Sequence, residues 1–375
     1  MTWQLEVHQR ININLKKRAE KLLNILSKRR YQKMRLKKLV IIIVVFFVLM
    51  GLPYITDGRL GAAEIKLSAA SLWPAIHPNY KSLVDGWGSE IEKRTKSTVK
   101  VVGYPVGTLL TAKEIYEGVL RGIADIGISA LAYTRGRFPL MEAIDLPMGY
   151  GTADVATKVA NDLYRKYKPK ELMDTHVCFL HAHGPGILAT KKPVRKLEDL
   201  KGMRIRCTGL AAKVISKLGG VPVAMDQAQA YEALQKGVVD GTACPIEVLE
   251  EWKQGEHIKY VTLNYSSAYT TTFFTVMNLN KWNSLPRDIQ GIISDINDEW
   301  IKKQAKLWDD LDKQSFPWLK EKGVEIIVQP PDESSRWEQA VLPLIDEFIV
   351  NKGRMGLPAK DVITDIKILI KQYSK

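Results

Sequence analysis

Two stretches 115 residues apart carry nearly the same text, Tyr116-Glu-Gly-Val-Leu-Arg-Gly-Ile-Ala-Asp125 and Tyr231-Glu-Ala-Leu-Gln-Lys-Gly-Val-Val-Asp240. Tyr, Glu, Gly and Asp recur in register, and Arg121 is answered by Lys236. A Pro-Val step precedes each, at Pro105-Val106 and Pro222-Val223. The pattern reads as a helix ending on a basic residue, then a glycine, then a strand. Gly122 and Gly237 suit the left-handed position just past a helix, and the preceding cation suits the negative end of the helix dipole. A chain that makes this corner twice is expected to hold two similar α/β lobes. Two facing lobes enclose a cleft, where a ligand would sit.

The charge is not evenly spread. Residues 1–38 hold twelve Lys or Arg against Glu6 and Glu20, and so carry +10 of the formal +14. An uncharged apolar run follows, Leu39 to Leu52, too short to span a bilayer but suited to the core of a signal peptide. Pro53 ends it, and Gly61-Ala62-Ala63 offers the small residues a signal peptidase reads. Residues 1–63 are therefore expected to be a signal peptide with an extended basic n-region, cleaved before Glu64. Met34-Arg-Leu-Lys-Lys would begin a leader of ordinary length. An uncleaved anchor, its basic segment held inside, is the competing reading. Without residues 1–63 the net charge falls to +4. The basicity thus belongs to the leader and does not point to nucleic acid.

Beyond the leader, strands and helices alternate, as a mainly parallel sheet requires. Glu64–Ser71, Val99–Tyr104 and Ile126–Ser129 read as strands, with a helix over Tyr80–Arg94 between the first two. Met203–Cys207 is a later strand and Ser266–Leu279 a long one. A helix is expected from near Pro286 to about Lys313, long enough to bridge two lobes, and a final helix over Glu333–Val350. The 3 cysteines (Cys178, Cys207 and Cys244) show no C-x-x-C pair and no metal-like spacing.

Several chemistries can be set aside. There is no Walker phosphate loop and no G-x-S-x-G elbow. Gly184-Pro-Gly-Ile-Leu-Ala189 matches a dinucleotide pattern, but Thr190-Lys-Lys-Pro193 after it cannot open the helix such a site needs. His181-Ala-His183 would put two imidazoles on one side of a strand, as some metal hydrolases do, yet further ligands are wanting. Arg206 ends a short strand just before Thr208-Gly209, the place where α/β sheets bind ligands. A guanidinium there could clamp a carboxylate through two parallel bonds. Alternation puts Arg204 on the same face, so pattern alone leaves the choice between them open.

These motifs together are familiar. Pro193-Val-Arg-Lys-Leu-Glu-Asp-Leu-Lys-Gly-Met-Arg-Ile-Arg-Cys-Thr-Gly209, Leu218-Gly-Gly-Val-Pro-Val-Ala-Met225 and the second repeat resemble the solute receptors of tripartite ATP-independent periplasmic (TRAP) transporters, the DctP-like family. So do Tyr104-Pro-Val-Gly-Thr-Leu109, Gly122-Ile-Ala-Asp-Ile-Gly127, Phe138-Pro-Leu140 with Asp145-Leu-Pro147, and Met277 to Pro286. The resemblance runs from Glu64 to about Phe348. It implies a two-lobed α/β periplasmic binding protein with strands crossing between lobes and a long helix spanning both. It implies no catalysis and no cofactor, but a small carboxylate ligand and delivery to the small and large permease subunits in the membrane. Lobe I would hold 64–184 with 272–312, and lobe II 185–271 with 313–375.

The same resemblance places the carboxylate-binding arginine on Arg206. Cys244 stands where the family often has an Asn that bonds the ligand. The second arginine of the sialic-acid branch falls on Gly186, and its covering aromatic near Gln227. Ala243-Cys244 replaces the Glu-Trp pair of the branch that binds 2-oxo acids through a metal. With Trp73 and Gly209 as further ligand contacts, the expectation is a monocarboxylate with a modest or partly apolar body and no metal. The alternatives are a metal-dependent hydrolase using His181 and His183, and a membrane-anchored ligand sensor.

Overall fold

The computed structural model describes residues 64–375, with Lys16, Lys17, Glu20, Lys21 and Ser27. The expected signal peptide, its anchor alternative and the Met34 start lie outside the described residues. The chain divides into two compact units, Met1–Ala62 and Ala63–Lys375, and the fold belongs to the second.

The described residues form eleven strands in two sheets. Along the chain they are β1 (Ile65–Ser71), β2 (Val99–Tyr104), β3 (Ile126–Ala130), β4 (Thr175–Ala182), β5 (Ile187–Thr190) and β6 (Arg204–Cys207). Then come β7 (Val221–Ala224), β8 (Gly241–Cys244), β9 (Tyr260–Leu263), β10 (Thr272–Asn278) and β11 (Glu325–Val328). The first sheet has the order β2-β1-β3-β10-β4 and the second β11-β9-β5-β8-β6-β7. Inner strands β3 and β10 are buried almost throughout, which is why they read as apolar runs rather than alternating ones.

Neither sheet is wholly parallel. Strand β10 runs antiparallel to β3 and β4, and β5 antiparallel to β8 and β9. These are the strands that arrive from the other sheet, so the crossing itself sets their direction. The chain passes from the first sheet to the second between β4 and β5, and returns between β9 and β10. It crosses again through the helix Arg287–Glu321 to reach β11. The long strand expected over Ser266–Leu279 begins instead at Thr272, because residues before it make the return crossing.

Both repeated corners form as expected. The helices Ile115–Leu120 and Gln227–Gln235 end on Gly122 (φ 73°) and Gly237 (φ 70°). Ile123 N–H bonds the Gly118 carbonyl and Val238 N–H the Ala233 carbonyl, closing a Schellman turn each time. The recurring aspartates do the same work in each lobe. Asp125 accepts the Ser68 backbone N–H and hydroxyl at 2.8 Å, and Asp240 accepts the Arg204 backbone N–H at 2.9 Å, tying the strand that follows to its neighbour. The recurring tyrosines also match, Tyr116 donating to Asp174 and Tyr231 to Glu256.

The helix Arg287–Glu321 outruns its expected end at Lys313 and carries Pro317 inside its last turns. Its buried face repeats at three- and four-residue steps, through Ile289, Ile293, Ile296, Trp300, Gln304, Trp308, Leu311, Ser315 and Leu319. The Trp87 indole donates to Asn297 at 3.0 Å, and the Trp300 indole donates to the Ser82 carbonyl at 3.0 Å. At the far end Leu319 joins the core of the second sheet. The helix therefore spans both lobes.

The C-terminal region differs from expectation. Pro343 lacks the N–H a continuous helix needs, so Glu333–Val350 is split into helices Pro331–Val341 and Pro343–Arg354. A further helix, Ala359–Tyr373, packs on the helix Ala153–Tyr167, which covers β4. Tyr167 and Lys166 bond Asp365, and Tyr373 bonds Asp162. Residues 313–375 are thus not all held by the second sheet; the last helix returns to the first. Among the described residues no helix is long and apolar enough to cross a membrane.

Candidate functional site

A cavity lies where strands of both sheets end. Strand β1 runs out into Leu72-Trp73, β4 into His183, β6 delivers Arg206 and Thr208, and β8 delivers Cys244. The crossing before β10 adds Tyr269 and Thr271, and the long helix adds Trp308. About 450 Å³ of empty space, part of it open to solvent, lies between these side chains. Ligand sites of α/β proteins occupy this position at the carboxyl ends of strands.

Arg206 is 3% exposed. Its Nε and Nη2 donate to the Met225 carbonyl at 3.3 and 3.1 Å, so a single neutral oxygen takes both bonds. Arg204, two residues earlier, points elsewhere. Its Nε and Nη2 pair with both oxygens of Asp240 at 3.1 and 2.9 Å, and Nη2 also reaches the Gly237 carbonyl. One arginine is spent on a surface ion pair that closes the second repeat. The other lines the cavity with its charge unmatched.

Aromatic rings make the opposite wall. Phe273 stacks on Trp308 (5.3 Å, 24°) and on His181 (5.1 Å, 11°), and Trp73 leans on Phe273 at 5.2 Å. Trp73 is both core and cavity wall, being 2% exposed. The lobes touch across the mouth, where Gln227 N–H donates to the Tyr133 hydroxyl at 3.2 Å and Lys113 pairs with Asp226 at 3.2 Å. Three buried polar atoms on the lining have no hydrogen-bond partner among the described residues: Gln227 Nε2, His183 Nε2 and Glu247 Oε2. Buried polar groups are costly to leave unpaired, so the cavity is built for a polar guest.

Of the residues expected from sequence, Arg206, Cys244, Gln227 and Trp73 come together on this lining. Gly209 does not. It sits at φ +53° in an adjoining groove, and a Cβ there would come 2.7 Å from the Ala132 Cβ. Its role is to let the two segments approach, which is a correction to the expected ligand contact. Gly186 likewise has no room for a side chain, because the Tyr269 ring fills that space. Sequence reasoning missed Tyr269, Trp308, Phe273 and Glu247. Glu247 alone left a readable signal, a lone acid in the apolar run Ile246-Glu247-Val248-Leu249.

His181 and His183 do share one side of their strand, both ringed by Phe273 and Trp308. The Trp308 indole donates to His181 Nδ1 at 3.0 Å, and His183 Nδ1 lies 2.5 Å from the Gly184 carbonyl. Burial pushes both below the usual imidazole range, to about 3 and about 4. Among the described residues no group of three or more His, Cys, Asp or Glu could hold a metal, so the hydrolase reading finds no third ligand.

The buried acids give the protein a distinctive pH response. Burial raises Asp145, Glu247 and Asp312 each to about 8. Burial also lowers His77 and His176 to about 4. The acids keep a proton that the unfolded chain loses above its carboxylate range, so stability falls as pH rises toward 8. The histidines stay neutral where the unfolded chain gains a proton, so stability also falls as pH drops from 6.5 to about 4. Between about pH 6.5 and 8 the acids act alone. The ligand-free melting temperature is expected to be highest near about pH 6 and to decline across that window. A rise there would show the carboxyls ionised in the folded state.

The profile of the bacterial extracellular solute-binding protein family 7, DctP, matches residues 69–352. The chain belongs to that family. A TRAP periplasmic solute-binding protein from Desulfovibrio salexigens is 36% identical, with a TM-score of 0.74, over 83% of this chain and 97% of that one. A marine metagenome TRAP solute-binding protein specific for aromatic acid ligands, solved with 3-hydroxybenzoate, is 27% identical with a TM-score of 0.80, over 84% of this chain and 100% of that one. The C4-dicarboxylate-binding periplasmic protein of Rhodobacter capsulatus is 26% identical over 73% of this chain and 83% of its own length. The expected two-lobed TRAP receptor fold is therefore this chain's fold.

Proposed function

We propose that this TRAP solute-binding protein takes up a monocarboxylate with a flat, largely apolar body, an aromatic acid above all. Arg206 would hold the carboxylate, and the Trp73, Phe273 and Trp308 rings the body. The observation that carries this reading is a buried guanidinium without an anionic partner, set in an aromatic cavity. Cys244 would leave room where an amide-bearing side chain would add a polar contact, and Gln227 would offer its free Nε2 to the ligand. The aromatic-acid specificity of the metagenomic relative supports the same choice, whereas the dicarboxylate relative argues for a second cation that the lining does not supply.

In this reading the protein binds and releases its ligand unchanged. It works in the periplasm after losing its leader and hands the ligand to the small and large subunits of a TRAP permease. A thermal-shift screen of the purified protein against small organic acids tests it. A ligand at 100 times its Kd adds about 2.7 kcal/mol to stability. Aromatic monocarboxylates are expected to raise the melting temperature. Stabilisation by C4-dicarboxylates or sugar acids alone would overturn the reading.

A further inference from the structure

The cavity holds a second polar feature that Arg206 leaves unused. Glu247 precedes the helix Val248–Glu251, and its side chain makes no cap bond to the free backbone N–H groups there. It turns instead to the cavity lining, 1% exposed, with Oε2 unpartnered. Behind it lies His77, also 1% exposed. His77 Nδ1 accepts the Asn79 N–H at 3.1 Å, which leaves the proton of the neutral ring on Nε2, 3.5 Å from Glu247 Oε2. That separation is too long for a good hydrogen bond, and both atoms stay unsatisfied. Two buried polar groups held close but unpaired mark a place where a third is meant to enter.

We propose that Glu247 is a specificity-determining residue: its carboxyl pairs with a hydroxyl on the body of an aromatic monocarboxylate whose head group sits at Arg206. This rests on the carboxylate reading above. In the β6–β8 register Arg206 lies opposite Thr242, five residues before Glu247, so head group and hydroxyl are read at separate points. The groups that face Glu247 are His77, Cys244 of β8, Glu250 and Glu251 of its own helix, and Asp312 of the long helix. No cation is among them. Burial and acidic neighbours therefore keep the carboxyl protonated, raised to about 8. A protonated carboxyl both donates and accepts, which suits a hydroxyl. A second carboxylate on the ligand would meet acids instead of a base and is rejected.

Calorimetric titration tests this with benzoate, the monohydroxybenzoates, mandelate and isophthalate, at pH 6.5, on the purified protein and its Glu247→Leu and Glu247→Gln variants. At least one hydroxylated acid is expected to bind the wild type about tenfold or more tighter than benzoate, the worth of one good hydrogen bond. Glu247→Leu should shrink that preference to within about twofold while benzoate binding persists, and Glu247→Gln should retain most of it. Isophthalate should bind worst. If benzoate and the hydroxylated acids bind the wild type alike, or the Leu variant keeps the preference, the role of Glu247 falls while the carboxylate reading stands. If no acid in the series binds the wild type, both fall. A pH series on the wild type needs no variant. Ionising Glu247, with Asp312 adding the same sign, should weaken benzoate severalfold between pH 6.5 and 9, and an unchanged affinity would overturn the proposal.

Discussion

Arg206→Ala is expected to bind benzoate about 30-fold or more weakly than the wild type, because truncating one partner of a buried charge pair costs roughly 2–5 kcal/mol. The ligand-free variant should melt close to the wild type, since among the described residues the guanidinium bonds only the Met225 carbonyl oxygen. Arg206→Lys should recover little, because an ammonium cannot form two parallel bonds to a carboxylate. Arg204→Ala is the control. It breaks a half-exposed ion pair with Asp240 and should leave binding nearly intact. Calorimetry on the three variants checks this. Wild-type affinity in Arg206→Ala, with loss in Arg204→Ala, would assign the ligand to the other arginine.

Trp308→Ala should be the most damaging single change to stability among those considered. The ring is 1% exposed, stacks on Phe273 and donates to His181, so its removal opens a cavity between the long helix and the first sheet. Large-to-small changes of this kind cost about 3–5 kcal/mol. Trp308→Phe keeps a ring but strands His181 Nδ1, at a cost of about 1–3 kcal/mol. Guanidinium midpoints of the ligand-free proteins give both numbers. A loss under about 1 kcal/mol for the alanine variant would show that the long helix is held without this contact.

The expected pH decline between about 6.5 and 8 has a structural meaning beyond stability. Asp145 is buried under Thr272 at the return crossing, and Asp312 lies on the long helix beside Glu247. Of these acids, which oppose folding when ionised, Asp312 sits on a segment that joins the lobes and Asp145 is bonded to the end of another.

Local chemistry made much of this protein legible in its sequence. The recurring Gly122 and Gly237 could be read because a left-handed residue after a helix tolerates few side chains. The long helix could be read from its own pattern and length, the crossing strands followed from the family resemblance, and the boundaries slipped where a backbone rule was overlooked, as at Pro343. The repeat also contained the answer to the arginine question, since Asp240 of the second copy claims Arg204. That pairing joins residues 36 apart and can be seen only once β6 and β8 lie side by side. The rest of the cavity was hidden for the same reason. Tyr269, Phe273 and Trp308 look like ordinary core residues along the chain, and Glu247 shows only as a lone acid in an apolar run. Sequence spacing could set which residues lie on strands and helices, because those periods are local. Which of them share one desolvated wall was decided by the three crossings, which bring strand ends from both sheets to a single place.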